Sequence, residues 1–189
     1  MDTTPEHGAD SGTAAGRSWF ACCTRSRHEK QVERLLDEQG VNSFLPVLSH
    51  VRQWRDRRKV VMLPLFPGYI FVHAALAELA RLLAIPGMAG IVRINGEPAP
   101  VREEELVNVR RFAAALESER IKPNLVAYVE TGEWVEVMSG PFQGVRGVVI
   151  DQRTRRRVLV GLRSTGYALE VDIAASALQL TSPPRPDSS

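Results

Sequence analysis

Residues 132–180 read GEWVEVMSGPFQGVRGVVIDQRTRRRVLVGLRSTGYALEVDIAASALQL, and they show almost no helical period until their end. Four or five short apolar stretches alternate with Gly, Pro and Ser turns. So short an all-β unit is expected to curl into a small closed barrel, because closure removes the sheet edges that invite aggregation. That expectation confines the helices to the other part of the chain.

Upstream, residues 18–116 alternate between two periodicities. SWFACCT (18–24) fills consecutive positions with apolar residues, as in a strand covered on both faces. Ser26 precedes Glu29 by a capping-box spacing, and Val32, Leu35 and Leu36 share a helical face before Gly40. Two extended runs, NSFLPVLSHV and VVMLPLFPGYIFVHA, flank the charged RQWRDRRK and predict a hairpin. A second helix is expected from Ala75, with Leu76, Leu79, Leu82 and Leu83 inward until Pro86-Gly87, then a strand at GIVRI. A third helix follows in REEELVNVRRFAAAL, burying Leu106, Val109, either Phe112 or Ala113, and Leu116. The order β-α-β-β-α-β-α predicts an α+β sandwich, an antiparallel sheet with flanking helices. Residues 117–131 lose periodicity and gain charge and proline, as a linker does. The expected division is a disordered tail over 1–17, a first domain over 18–116, the linker, a β domain over 132–180, and a disordered tail over 181–189.

The 189 residues carry a net charge of +2, so no global field dictates a polyanionic partner, and the clustering of arginine matters more. Cys22 and Cys23 are adjacent, which offers no disulfide framework and fits a reducing cytoplasm. No stretch approaches the roughly 18 apolar residues of a membrane span. The cysteines and the scattered His7, His28, His50 and His73 lack metal-site spacing, and no Walker-type loop occurs, so neither cofactor, metal nor catalysis is expected.

Two segments resemble a known family. GEWVEVMSGPFQGVRGVV resembles a KOW motif, in which Gly140 and Gly144 take positive φ around Pro141, Gly147 permits close strand approach, and Phe142 is held out at the turn tip. PLFPGYIFV, followed by IPGMAGIVRINGEPAPV, resembles the amino-terminal domain of the NusG transcription elongation factors. RSRHEKQVERLLDEQGVNSFLPV and RQWRDRRK look closer to the specialised RfaH-like and UpxY-type antiterminators, including those of polysaccharide operons. The resemblance implies an SH3-like KOW barrel and a monomer. It also implies a first domain that binds the clamp helices of the β′ subunit of RNA polymerase and the non-template DNA strand, opposing pausing or termination. The implied partner of the KOW turn is the termination factor Rho or a small-subunit ribosomal protein.

The residues suit these roles. Tyr69 and Phe71 lie two apart on one strand face and, with Trp19 and Pro67, are the candidate polymerase patch. Cys23 departs from the family pattern, which has a larger residue lining that patch. Arg52, Trp54, Arg55, Arg57 and Arg58 interleave cation and aromatic, as single-strand binding requires. Arg25, Arg27, His28 and Lys30 form a second basic group. RTRRR (153–157) reads equally as an RNA contact or a charged hairpin tip. The rival reading is a KOW-domain RNA- or ribosome-binding protein whose first domain is an RNA-recognition-like sheet, which needs exposed stacking aromatics on central strands.

Overall fold

The computed structural model describes residues 16–53, 58–129, 132–150 and 156–183. In the first part, β1 (Arg17–Thr24) is followed by α1 (Glu29–Glu38), β2 (Ser43–Phe44), β3 (Val47–Gln53), β4 (Arg58–Pro64) and β5 (Tyr69–Ala75). After a 3-10 turn come α2 (Leu79–Leu82), β6 (Met88–Ile91), β7 (Arg93–Ile94), β8 (Glu97–Pro98), β9 (Pro100–Val101) and α3 (Glu103–Glu119). The second part holds β10 (Asn124–Ala127), β11 (Glu133–Val137), β12 (Arg146–Val149), β13 (Arg156–Leu162), β14 (Tyr167–Ile173) and β15 (Leu178–Leu180).

The first sheet is antiparallel in the order β2-β5-β1-β6, with β9 also on β1. Its central strand is the consecutive apolar run expected to be covered twice, and it is. Phe20, Cys22, Ile70 and Val72 join Val32 and Leu36 of α1 and Leu79 and Leu82 of α2 in one core. Trp19, Ala21 and Phe71 face the opposite side, toward Leu106, Val109, Phe112 and Leu116 of α3. β3 and β4 form the expected hairpin as a separate two-stranded ribbon, with Val51 opposite Val60 and Arg52 opposite Lys59.

Two helix expectations need correction. The Ser26–Glu29 capping box does not form, because Arg27 takes a left-handed φ of 63° and turns Ser26 out of the first helical turn. Glu29 instead accepts a hydrogen bond from the Gly68 N–H at 2.8 Å and is buried. In the second helix, Leu79 and Leu82 are buried, whereas Leu76 and Leu83 remain 59% and 42% exposed. The 3-10 turn at Leu76–Glu78 winds tighter than an α-helix and rotates Leu76 off the inward face.

The β domain differs from expectation in one respect. The segment read as a linker contributes the last turn of α3 and all of β10, which pairs with β14. The domain is antiparallel in the order β10-β14-β13-β12-β11-β15, the KOW-like β domain expected from the sequence. The glycine expectations hold. Gly140 and Gly144 have φ of 83° and 79°. A Cβ on Gly147 would stand 2.5 Å from the Leu159 carbonyl oxygen on the neighbouring strand.

That contact predicts that Gly147→Ala forces β12 and β13 apart and destabilises the protein by about 1–3 kcal/mol. Urea denaturation of the full chain checks it. An unchanged midpoint would mean that the strands absorb the methyl group.

Candidate functional site

The turn inside PLFPGYIFV is built from three elements. Gly68, with φ of 83°, accepts a hydrogen bond from Thr24 N–H at 2.8 Å while its own N–H goes to Glu29. Pro-Gly is therefore needed where the end of β1, the start of α1 and the entry to β5 converge. Pro67 is exposed and Tyr69 is half-buried. Phe71 and Trp19 are buried, at 0% and 6% exposure, which corrects their expected place on an open docking patch. The physical reason is α3. Phe71 packs edge-on against Phe66 with ring centroids 6.3 Å apart, and Trp19 donates its indole N–H to Glu103 on that helix. Burial also raises the Tyr69 hydroxyl pKa, with smaller contributions from Cys23 and Tyr167.

Tyr69 faces the β domain. Its ring meets Tyr167, the first residue of β14, at 6.1 Å and a steep angle. Along α3 the same domain is held by further contacts that sequence reasoning missed. Asn108 donates its amide to the Arg146 carbonyl at 2.7 Å and accepts the Arg146 N–H at 2.8 Å, standing in for a strand at the edge of β12. Arg111 donates to the Gly144 carbonyl at 3.4 Å. Phe142, expected to project freely, is 6% exposed and packs on Phe112 at 5.5 Å. Pro141 and Gln143 beside it are exposed, and Arg146 pairs with Glu136 at 2.8 Å. A crevice of about 340 Å³ remains between α3 and the β domain, bordered by Arg102, Asn108, Arg111, Trp134, Arg146 and Val148. The two parts are thus docked through a localised apolar contact and a polar clasp, with unfilled space beside them.

The available signal for this docking was the run FAAAL on α3. A helix that packs on one side has a single apolar stripe, whereas here Phe112 and Ala115 are buried along with Leu106, Val109 and Leu116.

The basic groups remain at the surface. Arg25, Arg27 and Lys30 are exposed and His28 is half-buried at the start of α1. On the ribbon, Arg58 and Lys59 are exposed and Arg52 occupies β3, while Trp54, Arg55 and Arg57 lie outside the described residues, as does most of RTRRR. The described ribbon strands carry no acidic residue. At its base, Glu117 of α3 accepts hydrogen bonds from the Ser49 hydroxyl and from the Ser49 N–H, which lower the carboxyl pKa. Both faces of the central sheet are covered, so the exposed aromatic platform of an RNA-recognition sheet is not formed among the described residues.

Cys22 and Cys23 point to opposite sides as adjacent strand residues do, and burial pushes the Cys22 thiol up to about 12. No group of three or more candidate metal ligands occurs among the described residues. No described helix is long and apolar enough to cross a membrane.

The part of the chain that holds the first sheet, the ribbon and the start of α3 matches a known family. The family described as "Transcription termination factor nusG" matches residues 17–110. The chain belongs to the NusG family. Among its relatives, the transcription termination/antitermination protein NusG of Borreliella burgdorferi is 26% identical over 176 residues, covering 82% of this chain and 95% of that one. The NusG of Thermus thermophilus is 27% identical with the same coverage. A solved structure of Thermotoga maritima NusG is 27% identical, covers 88% of this chain and 98% of that one, and superposes with a TM-score of 0.48. The protein is accordingly a NusG-type termination/antitermination factor without enzymatic activity.

Two outcomes are expected from this geometry. Asn108→Ala removes both bonds of the clasp and weakens docking by about 1–3 kcal/mol, read as faster hydrogen exchange at the Arg146 amide. Protection there equal to wild type would show that the clasp contributes nothing. The Glu117 tie depends on pH with a definite sign. Its folded pKa lies below the ordinary 4.5, so the tie is intact above that value and is lost as pH falls through the lower folded one. Exchange at the Ser49 amide should accelerate in that acid range, and Glu117→Gln should abolish the pH dependence.

Proposed function

We propose that this NusG-family factor binds elongating RNA polymerase at its clamp helices through the surface around Pro67 and Tyr69. In its resting state the factor covers that surface with its own β domain. The observation that carries the reading is the pairing of Tyr69 with Tyr167 at the domain junction, beside the burial of Phe142 on Phe112. The candidate polymerase residue and the candidate KOW partner residue are engaged by the same closure. A partner of either domain then competes with docking, and binding at one surface releases the other. Tyrosine suits such a site, since its ring supplies apolar area while its hydroxyl stays near water.

The basic ribbon, whose described strands carry no acidic residue, and the group at Arg25, Arg27, His28 and Lys30 are the surfaces proposed to meet the non-template DNA, where arginine and lysine contact phosphates. Clamp binding combined with this contact would hold the polymerase closed on DNA and oppose pausing or termination. A specialised, operon-directed role of the RfaH-like or UpxY type rests on the sequence of α1 and the ribbon. Rho or a small-subunit ribosomal protein is the proposed partner of the KOW turn, reached once Phe142 is released.

Binding of the full chain to a clamp-helix fragment tests the reading. Tyr69→Ala should weaken it by about 2 kcal/mol. Asn108→Ala, which loosens docking without touching the proposed patch, should strengthen it. Wild-type affinity in both variants would refute the masked-surface account. Replacing Arg52, Arg58 and Lys59 by glutamine should lower affinity for a transcription-bubble DNA and flatten its salt dependence, by about 0.7–0.9 in log–log slope per lost phosphate contact. An unchanged slope would return the ribbon cations to a solvated role.

A further inference from the structure

The β domain has one edge that is only partly occupied. β14 is paired along its whole length by β13, from Tyr167 opposite Leu162 to Ile173 opposite Arg156. On its other side β10 covers only Tyr167 to Glu170, with Asn124 opposite Glu170 and Ala127 opposite Tyr167. Continuing that antiparallel register would set Pro123 against Val171 and Lys122 against Asp172. Proline has no N–H to give and ends the pairing there. The β10 side of Val171–Ile173 therefore has no strand partner among the described residues.

β10 is also lightly held. Asn124, Leu125 and Ala127 are exposed, Leu125 at 42%, and Val126 is half-buried. Backbone pairing attaches it, together with a 3.3 Å hydrogen bond from Asn124 to Glu170, the Tyr128 N–H to the Gly166 carbonyl at 2.9 Å, and further contacts of Tyr128. A strand that buries so little side-chain surface is exchangeable for another of similar length. The vacant part of the edge supplies a starting point, and its exposed side chain, Asp172, is acidic.

We propose that the β10 side of β14 is a strand-docking edge, on which an extended basic segment of a partner protein pairs first with Val171–Ile173, sets a Lys or Arg against Asp172, and then displaces β10. The chain's own continuation supports that chemistry, since Lys122 falls at the Asp172 register, where Pro123 and the turn at the end of α3 keep it from pairing. Displacement also acts on the docked arrangement, and this consequence rests on the reading given above. Between the end of α3 and β10 lie only Arg120, Ile121, Lys122 and Pro123, and at about 3.5 Å per residue they span on the order of 15 Å fully extended. Ile121 is moreover bonded back to the Leu116 carbonyl at 3.0 Å. Peeling β10 away adds Asn124 through Tyr128 to the tether, so strand uptake loosens the β domain from α3.

The test uses the isotopically labelled full chain and a synthetic peptide, RIKVNLVAYV, which is residues 120–129 with valine in place of Pro123. Adding the peptide should lower hydrogen-exchange protection of the Asn124–Ala127 amides at least tenfold and perturb the Val171–Ile173 amides. The parent peptide with proline should bind at least tenfold more weakly, and so should the valine peptide on an Asp172→Lys chain. Binding that leaves β10 protected, or that ignores Asp172→Lys, overturns the proposal. So does a concentration-dependent dimer that strips β10 without peptide, because the edge would then belong to a second copy. The Arg146 amide reports docking separately. If it is unprotected before peptide is added, the docked reading fails, while β10 displacement is still read on its own amides.

Discussion

Helix α3 is packed on two sides at once, and the rest of the molecule is arranged around that constraint. Leu106, Val109 and Leu116 close the lower face of the first sheet, while Asn108, Arg111 and Phe112 receive the β domain. Of the small residues beside these side chains, Ala115 is buried and Ala113 half-buried, whereas Ala114 is exposed. The C-terminal end of the helix then ties the base of the ribbon through Glu117 and Ser49. One element thus sets the positions of both proposed contact surfaces and of the domain that covers one of them.

The docked arrangement mixes strong and weak contacts in an informative way. Phe142 on Phe112 and the two bonds from Asn108 are specific, yet a crevice of about 340 Å³ is left beside them. Contacts between domains that separate are smaller and more polar, and the clasp here is of that kind. The proposed engagement of a polymerase by one domain and of another partner by the second needs an interface that binding can break.

Much of the fold was legible locally. The consecutive apolar residues of SWFACCT marked a strand covered twice, and the Gly-Pro-Phe turn fixed positive φ at Gly140 and Gly144, because backbone sterics act within a few residues. Where expectation failed, the deciding partner was distant in sequence. Glu29 left a local capping box for Gly68, and Phe71 lost its place on an open patch to Phe66 and α3. β10 looked like linker because its side chains are mostly exposed and its stability comes from pairing with β14.

By itself, the sequence determined the division into a mixed unit and an all-β unit, the strand faces, the turn chemistry and the basic character of the ribbon, since each follows from periodicity, glycine conformation or charge over short stretches. Only the tertiary structure decided which aromatic residues are available to a partner. Tyr69 and Phe142 carry no sequence mark that separates a docking residue from a buried one. Their exposure is set by where the β domain rests on α3, and that depends on surface complementarity between segments far apart in the chain.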